Sequence, residues 1–293
     1  MIVLGSNSYN GFKRWRWLLE SIRLRDPGLP RSDIRMVLVD DASPKEREMR
    51  AVASDYGADY IRFDGNRGIS AGWNAICRHA WDQGATWAAV LNDDILVNDN
   101  WLVAMDVFLT RNKGISGVGW PIVWFDAEDV SAILADPATA PVRTHQRNPT
   151  TIQALQPNLW GRPGCSGGAF AGCCFGVTRE AWERIGGFDE GFKSFYEETL
   201  FGYQGLEAGY VPLQLSGPFL WHQWSQTFAA SPELKGSDRM RFSRELFWDK
   251  TGTPKDQRHH DGRCFDYVSN KYRDRMVAPA PLTWWTPAGI QTT

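Results

Sequence analysis

The chain has 293 residues, 43% of them hydrophobic and 23% charged, with Lys+Arg 32 against Asp+Glu 34 for a net charge of −2. That balance excludes a disordered chain, and a charge so close to zero nominates no polyanionic partner. No apolar run approaches the roughly 18–20 residues of a membrane span, and a chain of this length buries a core without disulfides or a structural metal.

The opening Met1–Ser6 has neither a basic stretch nor the apolar run of a signal peptide, so a cytoplasmic protein is the expectation. The five cysteines, Cys77, Cys165, Cys173, Cys174 and Cys264, show no C-x-x-C spacing and read as reduced thiols. Charge is uneven: residues 235–275 hold 11 Lys+Arg against 7 Asp+Glu, and no charge follows Arg275. This basic segment reads as a solvated surface, and a soft boundary falls near residue 230.

In chain order, Ile2–Leu4 reads as a strand, and Trp15, Leu18, Leu19 and Ile22 mark one face of a helix that Pro27 and Pro30 end. Ile34–Val39 is a buried strand. Met49, Val52, Ala53 and Tyr56 form a second helical stripe, with Ser43-Pro44 as its cap and first turn. Tyr60–Phe63 is a strand, Trp73–Trp81 a helix stopped by Gly84, and Trp87–Leu91 a strand. The proline-punctuated stretch Asp126–Pro157 reads as a loop. Helices are expected over Thr178–Ile185 and Glu197–Glu207, with strands at Val211–Leu215 and Phe219–His222.

Alternating strands and helices predict an α/β protein with a mostly parallel sheet, and ligands bind such sheets beyond the carboxyl ends of the strands. Those ends carry Asn7, Ser8 and Tyr9, then Asp40 and Asp41, then Asn92, Asp93 and Asp94. Asp93 and Asp94 offer oxygens to a hard divalent cation such as Mg²⁺ or Mn²⁺, or cap the next helix. Glu197-Glu198, behind Phe195-Tyr196, favour a helix dipole or place one carboxylate as a general base. Neighbours on a helix point about 100° apart, so one of the pair is expected to face the reacting atoms. His222 is a half-buried histidine or completes a metal shell with Asp94. Gly164–Gly168 matches G-x-S-x-G, but without a preceding apolar strand and a following helix it does not read as a nucleophile elbow.

Taken together, these pieces resemble the family 2 glycosyltransferases of the GT-A fold. The resemblance lies in the opening strand ending at Tyr9-Asn10, in Val37–Ser43, in the N-x-G…G-x-N-like Asn66–Asn74, and in Leu91–Asp94 at the D-x-D position. It continues through Ile185-Gly186-Gly187-Phe188-Asp189, Glu197-Glu198, Gly209-Tyr210 and Trp221-His222, and so runs to about residue 225. Rhamnosyltransferase-type members look most similar. Departures are Asn7-Ser8 in place of the usual P-T, Asn92 at the first D-x-D position, Glu198 for the commoner Asp, and no arginine shortly after the acidic pair.

The resemblance implies a Rossmann-like GT-A domain over 1–230, with a donor half to about 112 and an acceptor half after it, and a C-terminal extension over 231–293. It implies a metal-dependent, inverting transfer from a nucleotide-sugar to an acceptor hydroxyl. Asn7, Tyr9 and Asp41 would hold base and ribose, while Asn66, Gly68 and Asn74 would line the donor site. Asn92 and Asp93 would meet ribose or diphosphate. Asp94, with His222, would ligate Mn²⁺ or Mg²⁺. Glu198, paired with Glu197, would be the catalytic base. Glycan, lipid, protein and nucleic-acid acceptors stay open, and Trp120, Trp124, Trp160, Trp221 and Trp224 are placed to stack on sugars. A silent nucleotide- or glycan-binding module is the alternative. A nucleotidyltransferase would need a basic loop where Asn7–Gly11 stands.

Overall fold

Side chains alternate between the two faces of a strand, and the central strands bury both. In the computed structural model, which describes residues 1–120, 122–137, 163–165, 170–215, 219–223, 236–261, 263–277 and 280–292, the strand Trp87–Asn92 splits in this way. Trp87, Ala89 and Leu91 enter one apolar cluster, and Ala88 and Val90 the other.

The strands are β1 (Ile2–Ser8), β2 (Ile34–Asp40), β3 (Asp59–Arg62), β4 (Trp87–Asn92), β5 (Ile95–Leu96), β6 (Ile115–Gly119) and β7 (Ile122–Trp124). After them come β8 (Pro163–Cys165), β9 (Cys174–Thr178), β10 (Val211–Leu215), β11 (Leu220–His222), β12 (Thr283–Thr286) and β13 (Gly289–Thr292). Eight form one sheet in the order β3-β2-β1-β4-β9-β6-β10-β8. The first four are mutually parallel, β9 runs antiparallel between β4 and β6, and β10 is parallel to β6. This is the mixed, mostly parallel α/β sheet that the sequence resemblance implies.

Helices α1 (Phe12–Leu24), α2 (Glu46–Asp55), α3 (Ile69–Asp82) and α4 (Trp101–Arg111) fill the crossovers. Trp73, Ile76, Cys77 and Ala80 of α3 cover Val3, Val37 and Val39 on one face. On the opposite face, Trp101, Met105 and Phe108 of α4 meet Leu4 and Leu91, while Trp15 and Leu19 of α1 meet Leu38. Burying a Val, Leu, Ile, Phe or Met side chain among these contributes roughly 1.5–3 kcal/mol.

A small sheet, β5-β11-β7, decides the site. His222 of β11 pairs with Ile95 of β5, and the Gln223 N–H donates to the Asp94 carbonyl at 3.0 Å, which sets His222 beside Asp94.

Several expectations differ from the structure. Helix α2 starts at Glu46 rather than at Pro44. Ser43 is occupied elsewhere: its N–H donates to Asp40 and its hydroxyl accepts from the Asn10 N–H. The start of the expected loop is helical, because Asp126 and Asp129 cap each other reciprocally over Ala127–Asp129 and lead into α5 (Val130–Ala135). Trp120 and Trp221 are fully buried in apolar clusters, so neither ring can lie against a sugar. Trp124 is half-buried. Trp160, Trp224, Ser166–Gly168 and the expected boundary near 230 lie outside the described residues.

After α6 (Arg179–Ile185) and α7 (Glu197–Ala208), the later segment supplies α8 (Gly236–Thr251) and α9 (Asp266–Lys271). Phe247, Trp248, Val268 and Tyr272 share one apolar cluster with Phe192, Leu200, Tyr203 and Leu206. Many basic side chains of this segment are paired, among them Lys250 with Asp189 at 2.7 Å and Arg258 with Asp249 at 2.7 Å. Among the described residues, no helix is long and apolar enough to cross a membrane.

Candidate active site

Parallel strands deliver their C-terminal residues to one edge of the sheet, and in β1 the register places Asn7 opposite Val39 and Asn92. A cavity of about 480 Å³ opens at that edge, within the size range of small-ligand sites. Asn7, Tyr9, Asp41, Asn66, Gly68, Asn92, Asp93, Asp94, His222, Glu197 and Glu198 all line it. Two expected neighbours do not. Asp40 is tied to Tyr60, Arg62 and the Ser43 N–H. Asn74 lies behind the wall, where its amide bonds both the N–H and C=O of Phe188 (2.9 and 2.8 Å) and reaches Glu190 and Trp182.

The two adjacent aspartates have different partners. Asp93 is buried, and its Oδ2 accepts from Arg14 Nη2 at 2.8 Å and from the Ser8 hydroxyl. Burial lifts its pKa against the pull of Arg14. Gly11 is needed here, because a Cβ at that position would collide with Asp93 Oδ2, Ser8 Oγ and Arg14 Nη2. Asp94 Oδ1 lies 3.3 Å from His222 Nε2, both side chains being buried. Burial opposes charge on either group, yet each holds the other's charged form. Asp94 is lowered, and His222 rises well above the ordinary imidazole value.

Asp41 organises the loop into α3. Its Oδ1 accepts from the Arg67 N–H at 2.6 Å, and its Oδ2 from the Gly68 N–H at 2.9 Å and Asn66 Nδ2 at 2.8 Å. Burial raises its pKa, with these bonds opposing. Gly68 adopts φ 87°, and a Cβ there would sit 2.6 Å from Lys193 Cα. The expected base-binding carboxylate therefore spends much of its accepting capacity on the wall itself.

Glu197 and Glu198 open α7 behind Phe195 and Tyr196, both left-handed at φ 69° and 68°. Each non-glycine residue in that region costs about 1–2 kcal/mol. The Tyr196 ring packs at 5.6 Å from both Phe247 and Phe265, which holds the turn. Both glutamates border the cavity, because consecutive residues from Lys193 to Thr199 line it and the helix meets it end-on. Burial and the Glu198 charge push Glu197 well above the ordinary range, and its Oε2 has no hydrogen-bond partner among the described residues. Burial raises Glu198 to about 6, against bonds from its own and the Thr199 backbone. Gly172 closes over it, with room for no Cβ beside Glu198 Cδ at 2.9 Å.

Sequence reasoning missed Gly172, Cys173, Lys193, Arg239, Met240 and Phe265 of the wall, and Arg14 behind it. Arg14 sits in Lys13-Arg14-Trp15-Arg16, which reads as a solvated basic face. Lys193 could have been found from its position between the Gly-Gly-Phe-Asp segment and the acidic pair.

No curated protein sequence matches the chain significantly. Among solved structures, it is similar to a mannosyltransferase from Pyrobaculum calidifontis in complex with GDP-Man and Mn²⁺. The TM-score is 0.57 at 15% identity, over 92% of this chain and 68% of that one. It is also similar to S. aureus TarS 1–349 in complex with UDP-GlcNAc (TM-score 0.56, 14% identity, 94% of this chain and 72% of that one). GalNAc-T7 with UDP, GalNAc and Mn²⁺ gives a TM-score of 0.56 at 16% identity, over 84% of this chain and 54% of that one. At these identities the likeness speaks for a shared GT-A fold. The sequence of residues 8–182 matches glycosyl transferase family 2. With that match over more than half its length, and the fold that goes with it, the chain belongs to glycosyl transferase family 2 and is a glycosyltransferase.

Proposed function

We propose that the chain moves a sugar from a nucleotide-sugar donor to an acceptor hydroxyl, with a divalent metal ion and inversion at the anomeric carbon. The observation that carries this reading is the meeting in one cavity of the Asp94–His222 pair and Glu198, whose pKa of about 6 suits a base near neutrality. The nucleotide-sugars and Mn²⁺ named with the similar structures support the donor and the ion.

Among the described residues, no three His, Cys, Asp or Glu side chains gather as a metal cluster. Asp94 Oδ1 and His222 Nε2, once the imidazole has given up the proton that Asp94 favours, would make a two-ligand set, which fits an ion that takes the rest of its shell from waters and substrate phosphates. The imidazole favours Mn²⁺ over Mg²⁺. Such an ion supplies positive charge to the departing diphosphate.

The remaining roles fall to the chain. Asn7 and Tyr9 border the space for the nucleoside, with Asp41 holding that wall, Asn66 and Gly68 line the donor site, and Asn92 and Asp93 border the ribose or diphosphate. Asn74 positions the Phe188 backbone behind the cavity. Glu198 accepts the acceptor's hydroxyl proton. The acceptor oxygen bonds to the anomeric carbon as the bond from that carbon to the diphosphate oxygen breaks on the opposite face. Burial and the Glu198 charge both disfavour ionisation of Glu197, which leaves the base's role to Glu198.

The test is nucleoside diphosphate release by the purified chain from UDP-, GDP- and dTDP-sugars, in Mn²⁺ and in chelator. Asp94→Ala and Glu198→Gln should lose transfer while remaining folded, and full activity in either removes that residue from its role. Donor binding without turnover across a broad acceptor panel would favour the silent binding module instead.

A further inference from the structure

The cavity wall is rich in carboxylates: Asp41, Asp93, Asp94, Glu197 and Glu198. Asp93 is paired with Arg14 and Asp94 with His222, which leaves Asp41 and the two glutamates to face the diphosphate of an incoming donor. Lys193 and Arg239 bring cationic side chains to the wall, and His222 is the third basic one. His222 faces Asp94 at 3.3 Å, and Lys193 Nζ donates to the Arg67 carbonyl at 2.9 Å.

Arg239 differs from both. It comes from α8, beyond the residues that match the family. Among the described residues its guanidinium pairs directly with no carboxylate. Its hydrogen bond runs from Nη2 to Asn66 Oδ1 at 3.2 Å, and Asn66 Nδ2 passes the chain on to Asp41. A neutral amide holds the head group in place, and Asp41, on the far side of Asn66, feels its charge without pairing directly with it. A guanidinium is permanently charged, and its planar fork matches the oxygens of a phosphate.

We propose that Arg239 is a binding residue for the donor's diphosphate, delivered to the cavity by the C-terminal segment. The proposal rests on the nucleotide-sugar reading above. It gives the later segment a part in donor recognition rather than in scaffolding alone.

Isothermal titration of the full chain with UDP and GDP, and with uridine and guanosine, all in excess Mn²⁺, tests it. Arg239→Ala should weaken the better diphosphate by roughly 10- to 100-fold, as expected for a charge-assisted bond, and change the matching nucleoside by less than about 3-fold. Arg239→Lys, which keeps the charge and loses the fork, should recover part of the loss. Unfolding midpoints of the free variants check that the fold is intact. Equal losses for diphosphate and nucleoside would overturn the proposal, because Arg239 would then only prop Asn66. Unchanged diphosphate binding in Arg239→Ala would overturn it as well. Wild-type protein that binds neither diphosphate overturns the donor reading itself, a result distinguishable from the other two.

Discussion

Replacing Glu198 by Gln separates what the cavity does for catalysis from what it costs the fold. Raising a carboxyl from its ordinary 4.5 to about 6 disfavours the folded, ionised form by about 2 kcal/mol, at ~1.4 kcal/mol per pH unit. The folded state holds this proton more tightly than the unfolded state does. The contribution of Glu198 to stability therefore falls as pH rises from about 4.5 to about 6 and is flat above that. The uncharged Gln escapes that loss, so the variant should be more stable than wild type by up to about 2 kcal/mol at pH 8 and no more stable at pH 4. Urea unfolding at the two pH values measures this. Over the same range, wild-type turnover should rise through a pKa near 6 and lie about tenfold below its plateau at pH 5, while the variant loses roughly 10²- to 10⁴-fold at all pH values. A variant less stable than wild type at pH 8, or wild-type turnover flat between pH 5 and 7, would refute the reasoning.

Arg14→Ala strands the buried Asp93 carboxylate and should cost about 3–5 kcal/mol by denaturant unfolding. Gly11→Ala, which drives a methyl into the same three groups, should destabilise the protein in the same assay and leave Arg14→Ala little further to lose. Trp221→Ala should cost about 3–5 kcal/mol as a core cavity, readable as a lowered unfolding midpoint with the donor Kd of the remaining folded protein unchanged. His222→Ala should abolish the stimulation of donor turnover by Mn²⁺, measured by titrating the metal into chelated enzyme.

The strands and their polar ends were legible because a buried parallel strand is a short apolar run, and its end is where the polarity changes. Asn7, Asp41, Asn92, Asp93 and Asp94 therefore announced a common edge. The individual partnerships did not. Asp93 looks as free as Asp94 in the sequence, and only the fold of α1 across the strand ends brings Arg14 to one and leaves His222 for the other. Asn74 resembles a ligand-facing amide, yet the close approach of α3 to Phe188 uses up its donors and acceptors. The turn at Ala127–Asp129 was hidden because two aspartates three residues apart look like solvated loop until they cap each other. Arg239 lay in a basic run in which most neighbours do serve as surface charges.

The sharing of one apolar cluster by α7 and the later helices has a consequence for biosynthesis. A chain emerging from the ribosome can lay down β1 to β4 early, since their contacts are near in sequence. Helix α7, which carries the two glutamates, must wait for Phe247, Trp248, Val268 and Tyr272 before its outer face is covered. A nascent chain halted near residue 235 would present a nearly complete sheet with an unfinished reaction centre. The segment from residue 236 onward thus acts as a completion signal, and early release would yield a protein that is folded in part and inert.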